Sequence, residues 1–313
     1  MLAVPPRPYL PRLPEDLRLR AGRRHGVLTT EEALAAGLTK AHIDAFVRGG
    51  LWRRVLRGAY VLAEWIPDDG IAPLQTAWAA ALLAGREAIV SGGLGWMLHG
   101  LEGADWPITP EVVMPADATR HQAAGRRITF RDVPHSEVWR IGELKLLSVD
   151  QLVIDASRTA TREVFVSMLD SALHKRRLSE ADLERLRRCL AVRAREWVDL
   201  ADGRAESPLE TRLRLIALDA QMPPDDLNHE VKQDDRVLAR IDLVWFRPGI
   251  KLAVECDGKG PHSLPEPLFK DRSRQALLTA RGWVVLRFLW GDVVGRPEWV
   301  LDQIRQHLYS VAV

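Results

Sequence analysis

Apolar positions change their spacing several times along the chain, and each change marks an element. Up to about Leu19 no period survives, because Pro5, Pro6, Pro8, Pro11 and Pro14 remove amide donors, so residues 1–19 are expected as an extended arm. From Arg20 the pattern is local and helical. Thr29 and Glu32 have the spacing of a capping box opening a short helix that Gly37 ends, and Thr39 opens a second helix carrying Ile43, Phe46 and Val47. Gly49-Gly50 stops it, and Leu51 to Leu62 reads as two short strands about an Arg57-Gly58 turn. Residues 20–65 therefore read as helix, turn, helix and wing.

Residues 66–147 read as a mixed α+β middle region, with an alanine-rich helix from about Ala72 and strands at Glu111 to Met114 and Arg127 to Phe130. The small-residue stretch Ser91 to Trp96 lacks a following Gly-Lys-Ser/Thr and a strand-turn-helix frame, so its glycines suit close helix packing rather than a phosphate loop. Residues 148–200 show helical spacing at Leu152, Ile154, Val164, Val166, Leu169 and Leu173. They read as a spacer whose arginines from Arg185 to Arg195 form a basic face. Ala201-Asp202-Gly203 is the sharpest boundary and opens a last segment, 201–313.

That segment alternates helix and strand. Ser207-Pro208-Leu209-Glu210 starts a helix with Leu213, Ala217 and Ala220 on one face. Val237 to Phe246 alternates with period two, placing Asp242 on the face of Leu238, Val244 and Phe246. Ile250 to Asp257 places Glu255 and Asp257 together, with Cys256 opposite. A helix over about Leu268 to Arg281 follows, and the nearly continuous apolar run Trp283 to Trp290 reads as a buried central strand. The fold class expected is α/β and multidomain.

Composition narrows the function classes. With 47% hydrophobic and 27% charged residues in 313, the chain has the profile of folded protein of two or three domains. Its apolar runs fall far short of the roughly 20 residues a membrane span needs, and no signal-peptide pattern opens it, so a cytoplasmic protein with no membrane partner is expected. Two distant cysteines, Cys189 and Cys256, fit no metal spacing and read as reduced thiols. A net charge of +2 neither requires nor excludes nucleic acid. The cations Lys40, His42 and Arg48 on the second helix and Arg53, Arg54 and Arg57 on the wing are candidates for DNA phosphates.

The chemistry concentrates after residue 201. Three carboxylates, Asp242, Glu255 and Asp257, on neighbouring strands about 4.8 Å apart suit one hard cation, Mg2+ or Mn2+, which phosphodiester hydrolysis employs to activate water and neutralise charge. Gly258-Lys259-Gly260-Pro261-His262 then offers Lys259 and His262, the latter suited to proton transfer. Lys270 and Arg274, one helical turn apart, suit a phosphate grip. Each has a plainer reading: Glu210 completes a capping box with Ser207, Asp242 could pair with Arg240, and His262 could be a solvated turn residue.

Two family resemblances add to this. "HGVLTTEEALAAGLTKAHIDAFVRGGLWRRVLRGAYVL" resembles the N-terminal winged-helix domain of abortive-infection antitoxins, which implies DNA binding. "SPLETRLRL", "ARIDLVW", "KLAVECDGKGPHS" and "KDRSRQALLTARGWVVLRFLWGDV" together resemble the domain related to very-short-patch-repair endonucleases, within the PD-(D/E)XK nuclease superfamily. That resemblance, over about Glu206 to Leu308, implies a restriction-endonuclease-like α/β/α fold. In it Asp242 and Glu255 match metal-binding carboxylates, His262 the histidine after the turn, Glu210 the glutamate of the first helix, and Asp271, Arg272 and Arg274 the basic helix. The superfamily's lysine two residues after Glu255 is here Asp257, leaving its role to Lys259, Lys270 or His262.

The reading that follows is a metal-dependent DNA endonuclease guided by a winged helix, in repair or defence. The alternative is a non-catalytic DNA-binding regulator or antitoxin. DNA is the expected partner, with a second copy of the chain, a toxin or a repair protein as further candidates.

Overall fold

A computed structural model describes residues 12–104, 107–119, 125–234, 236–257 and 275–309. Its described residues fall into two compact units, one within 1–100 and 105–156, the other within 101–104 and 157–313. Among the described residues no helix is long and apolar enough to cross a membrane.

Among the described residues the first unit opens with a helix, Glu15–Arg23, which starts inside what sequence suggested was the extended arm and runs past its expected end. The proline run ends at Pro14, the N-cap, and Glu15 and Asp16 place negative charge in the first turn, where the helix dipole favours it. Leu17 and Ala21 of this helix are buried with Leu28, Ile43, Phe46, Trp52 and Tyr60. The capping box of Thr29 and Glu32 forms, with Thr29 Oγ1 accepting from the Glu32 amide at 3.2 Å and the Glu32 carboxylate accepting from the Thr29 amide at 3.0 Å. Helices Thr30–Ala35 and Lys40–Arg48 follow. Strands β1 (Val27–Thr29), β2 (Trp52–Leu56) and β3 (Ala59–Leu62) make an antiparallel sheet in the order β1-β3-β2, the wing being β2 and β3. Gly58 turns between them at φ +90°, a conformation that glycine adopts without strain.

A five-stranded mixed sheet completes this unit. Its strands are β4 (Ile89–Ser91), β5 (Glu111–Met114), β6 (Arg127–Phe130), β7 (Val138–Ile141) and β8 (Leu144–Leu147), in the order β6-β5-β4-β8-β7. β1, the wing and this region share one core: Val27, Ala59 and Val61 cluster with Ala77, Trp78, Ala81, Val90 and Leu144. Buried Gln75 reinforces the join, donating through Nε2 to the carbonyls of His25 at 2.9 Å and Trp65 at 2.7 Å. Gly95 lies where a Cβ would meet Leu152 at 3.3 Å, which is the close packing expected of the glycine-rich stretch.

In the second unit the helix Arg162–His174, read from sequence as part of a spacer, is core: every residue from Val164 to Ala172 is buried. Asp170 ties it to the helix Pro208–Asp219, accepting from Thr211 Oγ1 at 2.7 Å, Arg214 Nη2 at 2.8 Å and the Asp202 amide at 2.7 Å. The division between the units accordingly falls at 156/157, within the helix Val149–Thr159, and not at Ala201-Asp202-Gly203. The expected basic face also differs. Arg185 pairs with Asp182, Arg187 with Glu184 and Asp199, Arg193 lies over Trp197, and Arg195 donates to the carbonyls of Leu190 and Arg188.

The sheet of this unit has the order β12-β11-β10-β9, from β9 (Asp226–Gln233), β10 (Arg236–Arg247), β11 (Ile250–Asp257) and β12 (Trp283–Leu289). β9 to β11 run antiparallel, while β11 and β12 are parallel. One face packs Leu243, Trp245, Leu252 and Val254 against Leu209 and Leu213 of helix Pro208–Asp219 and Val300 and Ile304 of helix Pro297–Tyr309. The other packs Val244, Ala253 and Trp283 against Leu277 and Leu278 of the helical residues 275–280. Helices on both faces of a mixed sheet give the expected α/β/α layering.

Four details differ from the sequence reading. β9 was missed. β12 ends the sheet order among the described residues instead of lying centrally, with Val284 and Leu289 exposed. Trp290, expected in a strand and buried, begins the helix Trp290–Gly295 and is 37% exposed. A register shift between Val237 and Ala239 also breaks the alternation that would have put Leu238 in phase with Asp242.

Candidate active site and nucleic-acid interface

The antiparallel ladder between β10 and β11 pairs Leu243 with Val254 as its outermost partners. The next residues outward are Asp242 and Glu255, so the ladder ends where the two carboxylates stand. Asp242 turns its carboxylate onto the neighbouring strand, Oδ2 accepting from the Cys256 amide at 2.7 Å. Glu255 is buried and forms an ion pair with Arg287 of β12, Oε2 to Nε at 3.1 Å. Their register partnership across the parallel ladder brings them together. Asp257 closes β11, two residues on and opposite Leu289. The alternation that puts Val244 and Ala253 in the cluster beneath helical residues 275–280 assigns Asp242, Glu255 and Asp257 to the same face.

Cys256 points the other way, into the core with Val254 and Phe288. Burial pushes its thiol well above the ordinary range, with Asp242, Glu210 and Glu255 adding to the rise. Three carboxylates therefore act on one atom from three elements, and the thiol is no nucleophile.

Glu210 sits buried at the third position of helix Pro208–Asp219. Its amide donates to Ser207 Oγ at 3.2 Å, and its carboxylate accepts from Ser207 Oγ at 2.7 Å, the Glu206 amide at 2.9 Å and Asn228 Nδ2 at 3.1 Å. It builds the cap. Arg240 pairs with Glu206.

The donor set fits a hard divalent cation, being carboxylate oxygens from adjacent strands at the open end of a ladder. Among the described residues no group of three or more His, Cys, Asp or Glu side chains forms a ready cage. Lys259, His262, Lys270, Asp271, Arg272 and Arg274 lie outside the described residues. The residue that sequence reasoning missed is Arg287. Its one available signal was a lone charge inside the apolar run Trp283 to Leu289.

On the first unit, Lys40 and Arg48 are exposed on helix Lys40–Arg48, with exposed Asp44 between them. His42 instead completes a cap, its Nδ1 accepting from the Thr39 amide at 3.3 Å while its own amide donates to Thr39 Oγ1 at 3.2 Å. Arg53, Arg54 and Arg57 are exposed on the wing, Arg54 lying 6.0 Å from the Tyr60 ring centre.

Comparison with known proteins divides along the same lines. Residues 15–63 match the family model described as "Transcriptional regulator, AbiEi antitoxin". Residues 226–308 match the restriction-endonuclease-like family REase_MTES_1575. Both resemblances read from the sequence are therefore present at the level of family, and β9 to β12 with the two closing helices are the restriction-endonuclease-like part. Over 284 residues the chain is 26% identical to uncharacterized protein MT2308 of Mycobacterium tuberculosis strain CDC 1551 / Oshkosh, an alignment covering 87% of this chain and 97% of the relative. Uncharacterized protein Rv2248 of strain ATCC 25618 / H37Rv is similar to the same extent, 26% over 284 residues.

Proposed function

We propose that this protein is a divalent-cation-dependent DNA endonuclease whose wing and second helix hold the duplex. The observation that carries the proposal is the meeting of Asp242 and Glu255 at the open end of the β10–β11 ladder, inside the segment matched by the restriction-endonuclease-like family. Asp242, Glu255 and Asp257 would hold Mg2+ or Mn2+. Bound there, the cation would polarise the phosphodiester and lower the pKa of the attacking water.

The chain's own residues supply position. The Cys256 amide fixes Asp242 Oδ2, which leaves the carboxylate orientation set before any ligand arrives. The ion pair with Arg287 fixes Glu255 in the same way. The helix Pro208–Asp219 supports the ladder from the opposite face through Leu209 and Leu213, with Glu210 keeping its first turn closed.

The test is cleavage of plasmid, linear and single-stranded DNA with Mg2+ or Mn2+, comparing the natural protein with Asp242→Ala and Glu255→Ala. Cutting that both variants lose is the expected result. A second reading is favoured by the antitoxin match over residues 15–63 and the exposed wing arginines: a DNA-binding regulator or antitoxin whose nuclease-like fold is structural. DNA retention without cutting by the natural protein would decide for it.

A further inference from the structure

The acid cluster of the second unit has a charge problem. Asp242, Glu255 and Asp257 place three negative charges at one end of two strands, and on the nuclease reading that end must admit a phosphodiester, itself an anion. A divalent cation leaves the group net negative. Some fixed positive charge has to stand close enough to offset the remainder without displacing the metal.

Arg287 meets those requirements by position. The parallel register sets it beside Glu255, its Nε is 3.1 Å from Glu255 Oε2, and its side chain is 28% exposed against 10% for Glu255. The carboxylate is thus held from within the protein, with the Nε and Nη2 atoms of the guanidinium buried beside it. Arg287 lies between Leu286 and Phe288 in a strand otherwise apolar, where an ionised side chain is costly to desolvate unless paired. An ion pair retained in such a place is poorly explained by stability, since apolar residues of similar volume commonly do as well.

We infer that Arg287 is a charge-balancing residue of the carboxylate site, pairing with Glu255 and offsetting the excess negative charge so that a phosphodiester can approach. The inference rests on the nuclease reading. A guanidinium does not exchange protons near neutral pH, so Arg287 is no general base and its contribution does not titrate. It stands in charge, though not in proton transfer, for the lysine that Asp257 replaces.

The test uses the full chain with Arg287→Met and Arg287→Lys, with three readouts: Mn2+ affinity by calorimetry, DNA cleavage, and thermal melting. Removing a like charge beside the cation should make Arg287→Met bind Mn2+ about tenfold more tightly. The same variant should cut about 100-fold more slowly, the loss seen when one fixed donor is taken from a developing anion. Arg287→Lys, which keeps the charge, should restore most of the cleavage with the pH profile unchanged. A scaffolding role predicts the opposite pattern, with Mn2+ affinity, cleavage and melting temperature all falling together in Arg287→Met and Arg287→Lys. That result overturns the inference, as does an unchanged Mn2+ affinity. If Arg287→Met does not fold, the inference stands or falls on Arg287→Lys, by the same divergence of metal affinity from cleavage. Natural protein that binds Mn2+ without cutting sinks the nuclease reading but still lets the affinity arm decide on Arg287. Natural protein that does neither removes both.

Discussion

At the scale of single residues, Asp242 has a structural hydrogen bond and a proposed catalytic role that substitution can separate. Asp242→Asn keeps an oxygen able to accept from the Cys256 amide, so the fold should lose less than about 0.5 kcal/mol while cleavage disappears with the charge. Asp242→Ala should also strand that amide and cost about 1–2 kcal/mol in urea unfolding. A further prediction concerns Asp170, whose carboxyl burial pushes up to about 6 against the opposing pull of Arg214, Thr211 and the Asp202 amide. In the unfolded chain it returns toward 3.8. Between those values the native state binds more protons than the unfolded state, so the contribution of Asp170 to stability falls as pH rises from about 4 to about 6. The slope is at most about 1.4 kcal/mol per pH unit, and the contribution is flat above that window. Urea unfolding across pH 4 to 7 should show this component, and Asp170→Asn should abolish it. That Asp242, Glu255 and Asp257 share one face of the sheet was legible in the sequence, because strand alternation is local. Arg287 was not, because its meaning depends on which strand lies beside β11, and a parallel partner 32 residues away leaves no local trace of the pairing.

Elements were legible where one short stretch sets both ends. The capping box at Thr29 and Glu32 stands as sequence spacing suggests, and at the second site Ser207 caps the Glu210 amide while the Glu210 carboxylate takes the Ser207 hydroxyl and the Glu206 amide, since a cap is built by residues three apart. Ser207→Ala should therefore lose about 1 kcal/mol in urea unfolding, and Glu210→Gln, which keeps an acceptor for the Glu206 amide, should lose less. Cleavage that survives Glu210→Gln would keep Glu210 in the cap and out of the chemistry; its abolition with the fold intact would return it to the site. Other elements were hidden by tertiary context. Asp226–Gln233 carries only Leu227 and Val231 as apolar residues, and Asn228 takes a positive φ, so its pairing with β10 could not be read from periodicity. Trp283–Leu289 misled in the other direction, because an apolar run records burial on two faces and says nothing of whether one edge or two are paired. The helix Glu15–Arg23 was hidden by the prolines before it, although the last of them serves as its N-cap.

At the scale of the whole chain, segments that look separable in sequence share cores. β1 and the wing contribute Val27, Ala59 and Val61 to the cluster built on helix Pro73–Ala84, so this unit should open as one body. Amide exchange in the full chain should give β3 and that helix the same opening free energy, and Gln75→Ala, which strands the carbonyls of His25 and Trp65, should lower both by about 2 kcal/mol. Separate exchange energies would mean an independent wing. Charge shows the same gap between sequence and molecule: a net +2 hides two arginine-rich regions of different kinds. Arg53, Arg54 and Arg57 are exposed, whereas Arg185, Arg187, Arg193 and Arg195 are engaged by acids, carbonyls and a tryptophan ring within their own unit. If the wing is what meets DNA, each arginine withdrawn from a phosphate should reduce the slope of log affinity against log salt by about 0.9. Arg53→Ala, Arg54→Ala and Arg57→Ala together should then flatten it by about 3, while Arg185→Ala with Arg187→Ala should leave it unchanged. An equal loss from both sets would mean that the ion pairs of the second set open on binding, and that exposure in the free protein does not mark the DNA-binding surface.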